Sequence, residues 1–254
     1  VQRMYAKCKP AQEACLEFVE SLKKEFDAIG SEYVESVSVD RCRLVKTVQD
    51  YKQVKESDNT ITKEMDRKFR EPRSLLFYKG ATFESTLNFK SAKKGKAYSQ
   101  SQLLLMVDIP TTEQIRSKGS ITLYKSKPGV NYIDLADGVP GKDTLASLGW
   151  KEVSVKCTPE NRSITVKSYQ CTRMQYSLKH VGSSTITKQT GNTIHGKCAI
   201  EVSRGCQPWD KPGVVVMLSR ATIGRNIMIV TEDKEYENEV MWNTITKDNQ
   251  WTDH

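Results

Sequence analysis

Five consecutive apolar residues, Val214-Val215-Val216-Met217-Leu218, run straight into Ser219 and Arg220. Such a run predicts a strand buried on both faces. A strand of that kind requires a layered α/β fold to cover it. In an open α/β sheet, ligands sit outside the carboxyl ends of the strands. An arginine delivered there offers a permanently charged, rigid fork of donors that matches phosphate oxygens. Arg220 is therefore a candidate phosphate ligand. The plainer reading is a surface arginine that only ends a core strand.

A chain of 254 residues can hold one large domain or two small ones. Its formal net charge of +8 favours a polyanionic partner, nucleic acid first. No apolar run reaches the length that crosses a bilayer, and the N-terminus does not read as a secretory signal. Val1 stands where an initiator methionine would, so the expectation is a piece of a longer protein. The seven cysteines are an odd number with no C-x-x-C pair, which argues against a disulfide framework and a zinc site. The expected setting is reducing and intracellular, not secreted.

Three blocks follow one another. Gln2 to Ala6 reads as a strand. A helix opens at Pro10, with Cys15, Phe18, Val19, Leu22 and Phe26 on one face and Gly30 as its stop. Val37 and Val39 alternate with Ser36, Ser38 and Asp40 as in a strand. Residues 46–70 are polar, either a solvated helix or a long loop. From Pro72 to Cys171, short strand-like segments are punctuated by Gly and Pro. The segments Leu178 to Ile186, Lys197 to Val202, Val214 to Leu218 and Ile227 to Val230 return to the α/β pattern. The expected division is residues 1–71 with 172–254 as one discontinuous α/β domain, and residues 72–171 as an inserted β-rich module.

Gly138-Val139-Pro140-Gly141-Lys142-Asp143 is not a phosphate loop. That loop needs four residues between its glycines and Ser or Thr after the lysine. Here two residues intervene and Asp143 follows, so a surface turn is expected. Thr185 to Thr193 mixes hydroxyls, Lys188 and Gly191 after an apolar approach, and reads as a polar turn or as a phosphate-holding loop. Lys90, Lys93, Lys94 and Lys96 form a basic stretch, either a solvated hairpin tip or a phosphate-backbone contact. The histidines are too scattered for a metal centre; His180 reads as a core histidine or one that orients a neighbour. No order of Ser, Cys, His and Asp stands out as a nucleophilic catalyst.

Taken in order, Arg173-x-Gln175-x-x-Leu178, Thr185-Ile186-x-Lys188-x-x-Gly191-x-Thr193 and Val216-Met217-Leu218-Ser219-Arg220-Ala221 resemble the C-terminal half of petite-integration-frequency helicases. Those are ATP-driven 5′-to-3′ DNA helicases of superfamily one. Tyr78-Lys79-Gly80-Ala81 resembles the family's entry into an inserted small β-barrel, and Arg3-Met4-Tyr5-Ala6 resembles its fourth motif. The resemblance implies a second RecA-like domain with a mostly parallel sheet, carrying an inserted barrel-like β module.

It also implies roles. Arg220 takes the place of the arginine finger on the nucleotide's terminal phosphates, a role worth about 10³–10⁵ in rate. Lys188, Gly191, Thr193 and Gln175 couple nucleotide to DNA. Arg173, Lys90, Lys93, Lys94 and Lys96 are DNA contacts. ATP and magnesium bind only when a missing N-terminal RecA-like domain supplies the phosphate loop and acidic site. Single-stranded DNA is the expected partner, with no membrane, a monomeric state and, in a eukaryotic host, a nuclear location. Two departures stand out. Thr187-Lys188-Gln189-Thr190-Gly191 replaces the family's His-Lys-Ser-Gln-Gly, and the first lobe is absent. The alternatives are a non-enzymatic single-stranded nucleic-acid-binding module and a degenerate pseudo-helicase scaffold.

Overall fold

The structure is a computed structural model. It describes residues 2–5, 8–45, 52–54, 59–89, 97–130, 133–158, 163–185, 197–202, 216, 218–221 and 223–231. In chain order the first elements are β1 (Gln2–Tyr5), α1 (Cys8–Ile29), β2 (Val34–Val37), β3 (Val39–Leu44), β4 (Lys52–Gln53), α2 (Asn59–Lys68), β5 (Ser74–Phe77) and β6 (Thr82–Ser85). Next come β7 (Leu103–Leu105), α3 (Thr112–Arg116), β8 (Ile121–Lys125), α4 (Lys142–Ser147), β9 (Lys151–Val155), β10 (Cys157–Thr158) and β11 (Ser163–Val166). The chain continues through β12 (Tyr169–Tyr176), β13 (Leu178–His180), β14 (Ser183–Thr185), β15 (Cys198–Glu201) and β16 (Ile227–Val230).

Helix α1 forms where the apolar spacing predicts it. Ala11 and Val19 are buried, while Glu13, Glu17, Glu20 and Glu25 face out. Gly30 ends it in the left-handed region at φ +67, and the Ser31 amide closes back on the Phe26 carbonyl at 3.0 Å. That bond satisfies a carbonyl the helix end would otherwise leave unpaired.

The chain divides into two compact units, residues 1–18, 131–134 and 182–254 in one, residues 19–130 and 135–181 in the other. In the first unit the strand order is β14-β1-β15-β16 and every pairing is parallel. Its inner strand β15 shows the continuous burial such a position demands, at Cys198, Ala199 and Ile200.

The second unit is antiparallel throughout. One sheet runs β13-β6-β7-β8-β9, another runs β10-β12-β3-β4 with β11 also on β12, and β2 pairs with β5. Phe77, Phe83, Leu104, Met106, Leu123, Val153 and Tyr176 belong to its main core, with the Phe77 and Tyr176 rings edge to face at 5.5 Å. Met65 and Phe69 pack with Val166 and Cys171 in a separate cluster. The polar stretch of residues 46–70 thus contains a helix, α2, with a buried methionine.

Three expectations are corrected. Among the described strands parallel pairing is confined to four short ones, so the fold is mixed α/β with mostly antiparallel sheets. Among the described strands no sheet closes into a barrel. The run Val214 to Leu218 is not a strand where it is described: Val216 and Leu218 are helical and Arg220 lies in a turn. An unbroken apolar run has no period to separate the two structures. β2, before residue 72, pairs with β5, after it. Tyr78-Lys79-Gly80-Ala81 is a tight turn from β5 to β6, with Gly80 at φ +87 and a Tyr78–Ala81 bond of 3.0 Å. Gly138, at φ +94, sits in the expected surface turn, and exposed Lys142 reaches Asp108 at 2.7 Å. Among the described residues no helix is long and apolar enough to cross a membrane.

Within the second unit, the Thr172 hydroxyl on β12 is buried without a hydrogen-bond partner among the described residues. An unsatisfied buried hydroxyl costs about 1–3 kcal/mol. Thr172→Val keeps the shape and removes the penalty, so urea denaturation should show a gain of about 1 kcal/mol.

Candidate functional site

Strand β12 carries both motif residues described in the middle of the chain. Their alternate spacing puts Arg173 and Gln175 on one face. Pairing with β3 sets Arg173 opposite Asp40. The guanidinium grips that carboxylate with two bonds, Nε to Oδ1 at 2.8 Å and Nη2 to Oδ2 at 2.6 Å. Nη2 also reaches Asp66 of α2 at 2.6 Å, and Nη1 donates to the Glu71 carbonyl at 3.1 Å. The Phe69 ring lies 5.2 Å from the guanidinium carbon. The Arg173 side chain is 0% exposed, against 10% for Asp40 and 17% for Asp66. Burial alone would lower its pKa, but the bonds and charges of Asp40 and then Asp66 outweigh it and the pKa is raised. Arg173 is therefore a structural cation. Every bond described for its guanidinium stays inside the fold, so the expected DNA contact would have to be made in addition to these.

Gln175 is equally committed. Its amide nitrogen donates to the carbonyls of Ser36 and Arg73 at 2.9 and 3.1 Å. Its oxygen accepts from the Ser36 hydroxyl at 2.9 Å and the Tyr176 amide at 3.0 Å. Lys118, just beyond α3, donates to the Ser36 hydroxyl and the Val37 carbonyl at 3.1 and 2.5 Å, and burial lowers its pKa. The Tyr176 hydroxyl donates to the Gly119 carbonyl at 2.7 Å. This amide stitches strands together, and the nucleotide–DNA coupling expected of Gln175 would have to work through these bonds.

His180 is a core histidine. Its Nε2 accepts from the Leu76 amide at 3.1 Å, with the rings of Phe83 and Tyr78 beside it. Burial pushes its pKa down to about 3, so it stays neutral.

Arg220 belongs to the first unit and is half-buried. Its Nε donates to the Val216 carbonyl and its Nη2 to the Ser219 hydroxyl, both at 3.0 Å. These bonds hold the fork against the preceding helical turn and leave Nη1 unengaged by the described residues. The placement at a strand's carboxyl end is corrected: Arg220 precedes β16 rather than ending a strand. Lys188, Gly191 and Thr193 lie outside the described residues, in the segment that follows the carboxyl end of parallel strand β14. Lys90, Lys93, Lys94 and Lys96 lie outside them too.

Among the described residues no group of three or more His, Cys, Asp or Glu side chains could hold a metal ion.

Sequence reading missed a cavity of about 710 Å³ in the second unit, lined by Phe89, Tyr98, Lys125, Lys127 and Lys151 among others. The available signal was Lys125-Ser126-Lys127-Pro128-Gly129, a basic turn between strands.

The fold is similar to that of Pif1 helicases. The crystal structure of Pif1 helicase from Candida albicans matches 92% of this chain at a TM-score of 0.51 and 16% identity. That of Pif1 helicase from Bacteroides in complex with ADP-AlF3 and ssDNA matches 92% at 0.47 and 16% identity. The chain spans 46% and 41% of those two chains, less than half of each. At this identity the likeness concerns the fold. No protein-family model matches the sequence, and no curated protein matches it.

Arg173→Met leaves Asp40 and Asp66 without their cation, and denaturation should show a loss of about 3–5 kcal/mol. Affinity for single-stranded DNA, corrected for the folded fraction, should stay unchanged. A stable variant with lost DNA affinity would contradict the structural role. His180 supplies a pH test. Its stabilising contribution is complete above its unfolded pKa of about 6.5 and falls as pH drops toward about 3. Between pH 7 and 5.5 the chain should lose about 1 kcal/mol that His180→Gln does not lose.

Proposed function

We propose that this chain is the C-terminal motor part of a Pif1-type, ATP-dependent 5′-to-3′ DNA helicase-like protein. The observation that carries the reading is the fold likeness to the Candida albicans Pif1 helicase across 92% of the chain. The first unit then corresponds to the second RecA-like domain, built on the parallel sheet around β1. The β-rich second unit includes the inserted module. The motif order from Arg173 to Ala221 supports the same reading, and so does the net charge of +8.

In this reading Arg220 is the arginine finger. Its backbone and Ser219 bonds fix two nitrogens, so the remaining donors are oriented before a phosphate arrives. ATP supplies phosphoryl-transfer chemistry when bound, with magnesium and a phosphate loop contributed by a first RecA-like lobe. Lys188, Gly191 and Thr193, following β14, contact DNA phosphates and respond to the nucleotide's state. Single-stranded DNA is the partner, and the protein works inside the cell, in the nucleus of a eukaryotic host, as a monomer.

The 254-residue chain alone should show no ATP turnover. Joined to a first RecA-like lobe, it should show DNA-stimulated turnover that Arg220→Ala slows by about 10³-fold or more, with DNA affinity retained. Turnover by the 254-residue chain that Arg220→Ala abolishes would contradict the reading. A chain with no salt-dependent affinity for single-stranded DNA would point to a scaffold instead.

A further inference from the structure

The ladder between β3 and β12 brings two cysteines together. Cys42 stands directly opposite Cys171, and both are present as thiols. The phase of the ladder decides how close they come. One step beyond Leu44 and Tyr169, the Val45 amide donates to the Ser168 carbonyl at 3.0 Å. Opposed residues in an antiparallel pair alternate between hydrogen-bonded and unbonded positions. Arg43 and Gln170 are then a bonded pair, and Cys42 and Cys171 an unbonded one. Arg173 and Asp40 share the unbonded phase, and their side chains meet directly at 2.6 Å. Unbonded positions hold opposed Cα atoms about 4.5 Å apart, within the range of about 4.4–6.8 Å that a disulfide spans.

Both side chains lie on the same face of the sheet. Cys171 belongs to the cluster of Met65, Phe69 and Val166, and Cys42 packs against it. The two sulfurs therefore share the apolar space beneath α2. Cys171 is fully buried, whereas Cys42 is half-buried. Burial pushes the Cys171 pKa up to about 11; Cys42 and Asp40 raise it too, and Lys68 of α2 opposes them. The Cys171 thiol is held by a weak 3.9 Å bond to the Tyr169 carbonyl of its own strand, which a new bond to sulfur readily replaces. An oxidant thus reaches Cys42 first, and the sheltered Cys171 waits beside it as the resolving thiol.

We propose that Cys42 and Cys171 form a redox-modification site that closes to a cross-strand disulfide when a peroxide is present. The Cys42 thiolate attacks the O–O bond and becomes a sulfenic acid, and the hydroxide released takes up the thiol's proton as water. The Cys171 sulfur then bonds to the Cys42 sulfur, and its proton leaves with the sulfenic hydroxyl as a second water. The two thiols lose two electrons, and the peroxide gains them. The bridge closes a loop that encloses α2 and strands β5 to β11, so it restricts the unfolded chain and stabilises the fold. The site lies apart from Arg220 and does not depend on the proposed motor function.

The test exposes the full 254-residue chain to a small molar excess of hydrogen peroxide. Remaining thiols are blocked with N-ethylmaleimide in denaturant, and unreduced peptides are mapped by mass spectrometry. A Cys42–Cys171 cross-link that dithiothreitol reverses is expected, with a Tm higher by about 5 °C or more. Cys42→Ser should abolish both the cross-link and the Tm gain. Cys171→Ala should leave Cys42 as a sulfenic acid that dimedone labels; Cys42→Ser, at the half-buried position, carries the test if that variant does not fold. Cys15→Ser, in the other unit, should behave as the parent. Oxidation of Cys42 to a sulfinic acid with Cys171 still alkylated overturns the proposal. So does a cross-link from either cysteine to a different one, a Tm change equal in the parent and Cys42→Ser, or loss of the cross-link in Cys15→Ser.

Discussion

A guanidinium sealed from water governs much of the second unit. An isolated charge cannot be buried without a large desolvation cost, so Arg173 needs Asp40 and Asp66 in place. Those partners come from β3 and α2, elements more than a hundred residues earlier in the chain. The ion triad therefore fixes the register of β12 against β3 and holds α2 beside them. Gln175, two residues on, extends the same face with four hydrogen bonds toward Ser36, Arg73 and Tyr176. Removing any one partner strands the others in a medium that cannot solvate them.

This commitment reshapes the functional picture. A motif of Arg and Gln reads naturally as ligand chemistry, yet here the bonds described for both side chains stay inside the fold. Among the described residues, the Arg220 fork is held at one edge by its own helical turn and keeps Nη1 unengaged. In the proposed reading that nitrogen meets a terminal phosphate from outside the chain.

The elements with clear periodicity were legible in the sequence: α1 from its apolar stripe and glycine stop, and β8, β9, β11, β15 and β16 from short apolar runs between turns. Residues 34–44 show why the rest was not. Val37 is 47% exposed while Ser36 is fully buried, the reverse of the expected alternation. The inversion follows from partners far away in sequence, Gln175 for Ser36 and Arg173 for Asp40, which no local pattern encodes. The apolar run before Ser219 had the length of a strand and the same composition as a buried helix, so only tertiary packing could decide. Parallel and antiparallel pairing were misjudged for a similar reason, since pairing direction depends on connections between strands rather than on any strand's residues.

In the proposed reading Arg220 completes a phosphate site whose other wall lies on a separate lobe. The most direct measurement is a crystal structure of the chain joined to a first RecA-like lobe, with single-stranded DNA and an ADP–metal-fluoride mimic of the transferring phosphate. The account expects an Arg220 nitrogen within about 3 Å of the mimic. An Arg220 side chain turned to solvent, with the mimic fully coordinated by other residues, would contradict it.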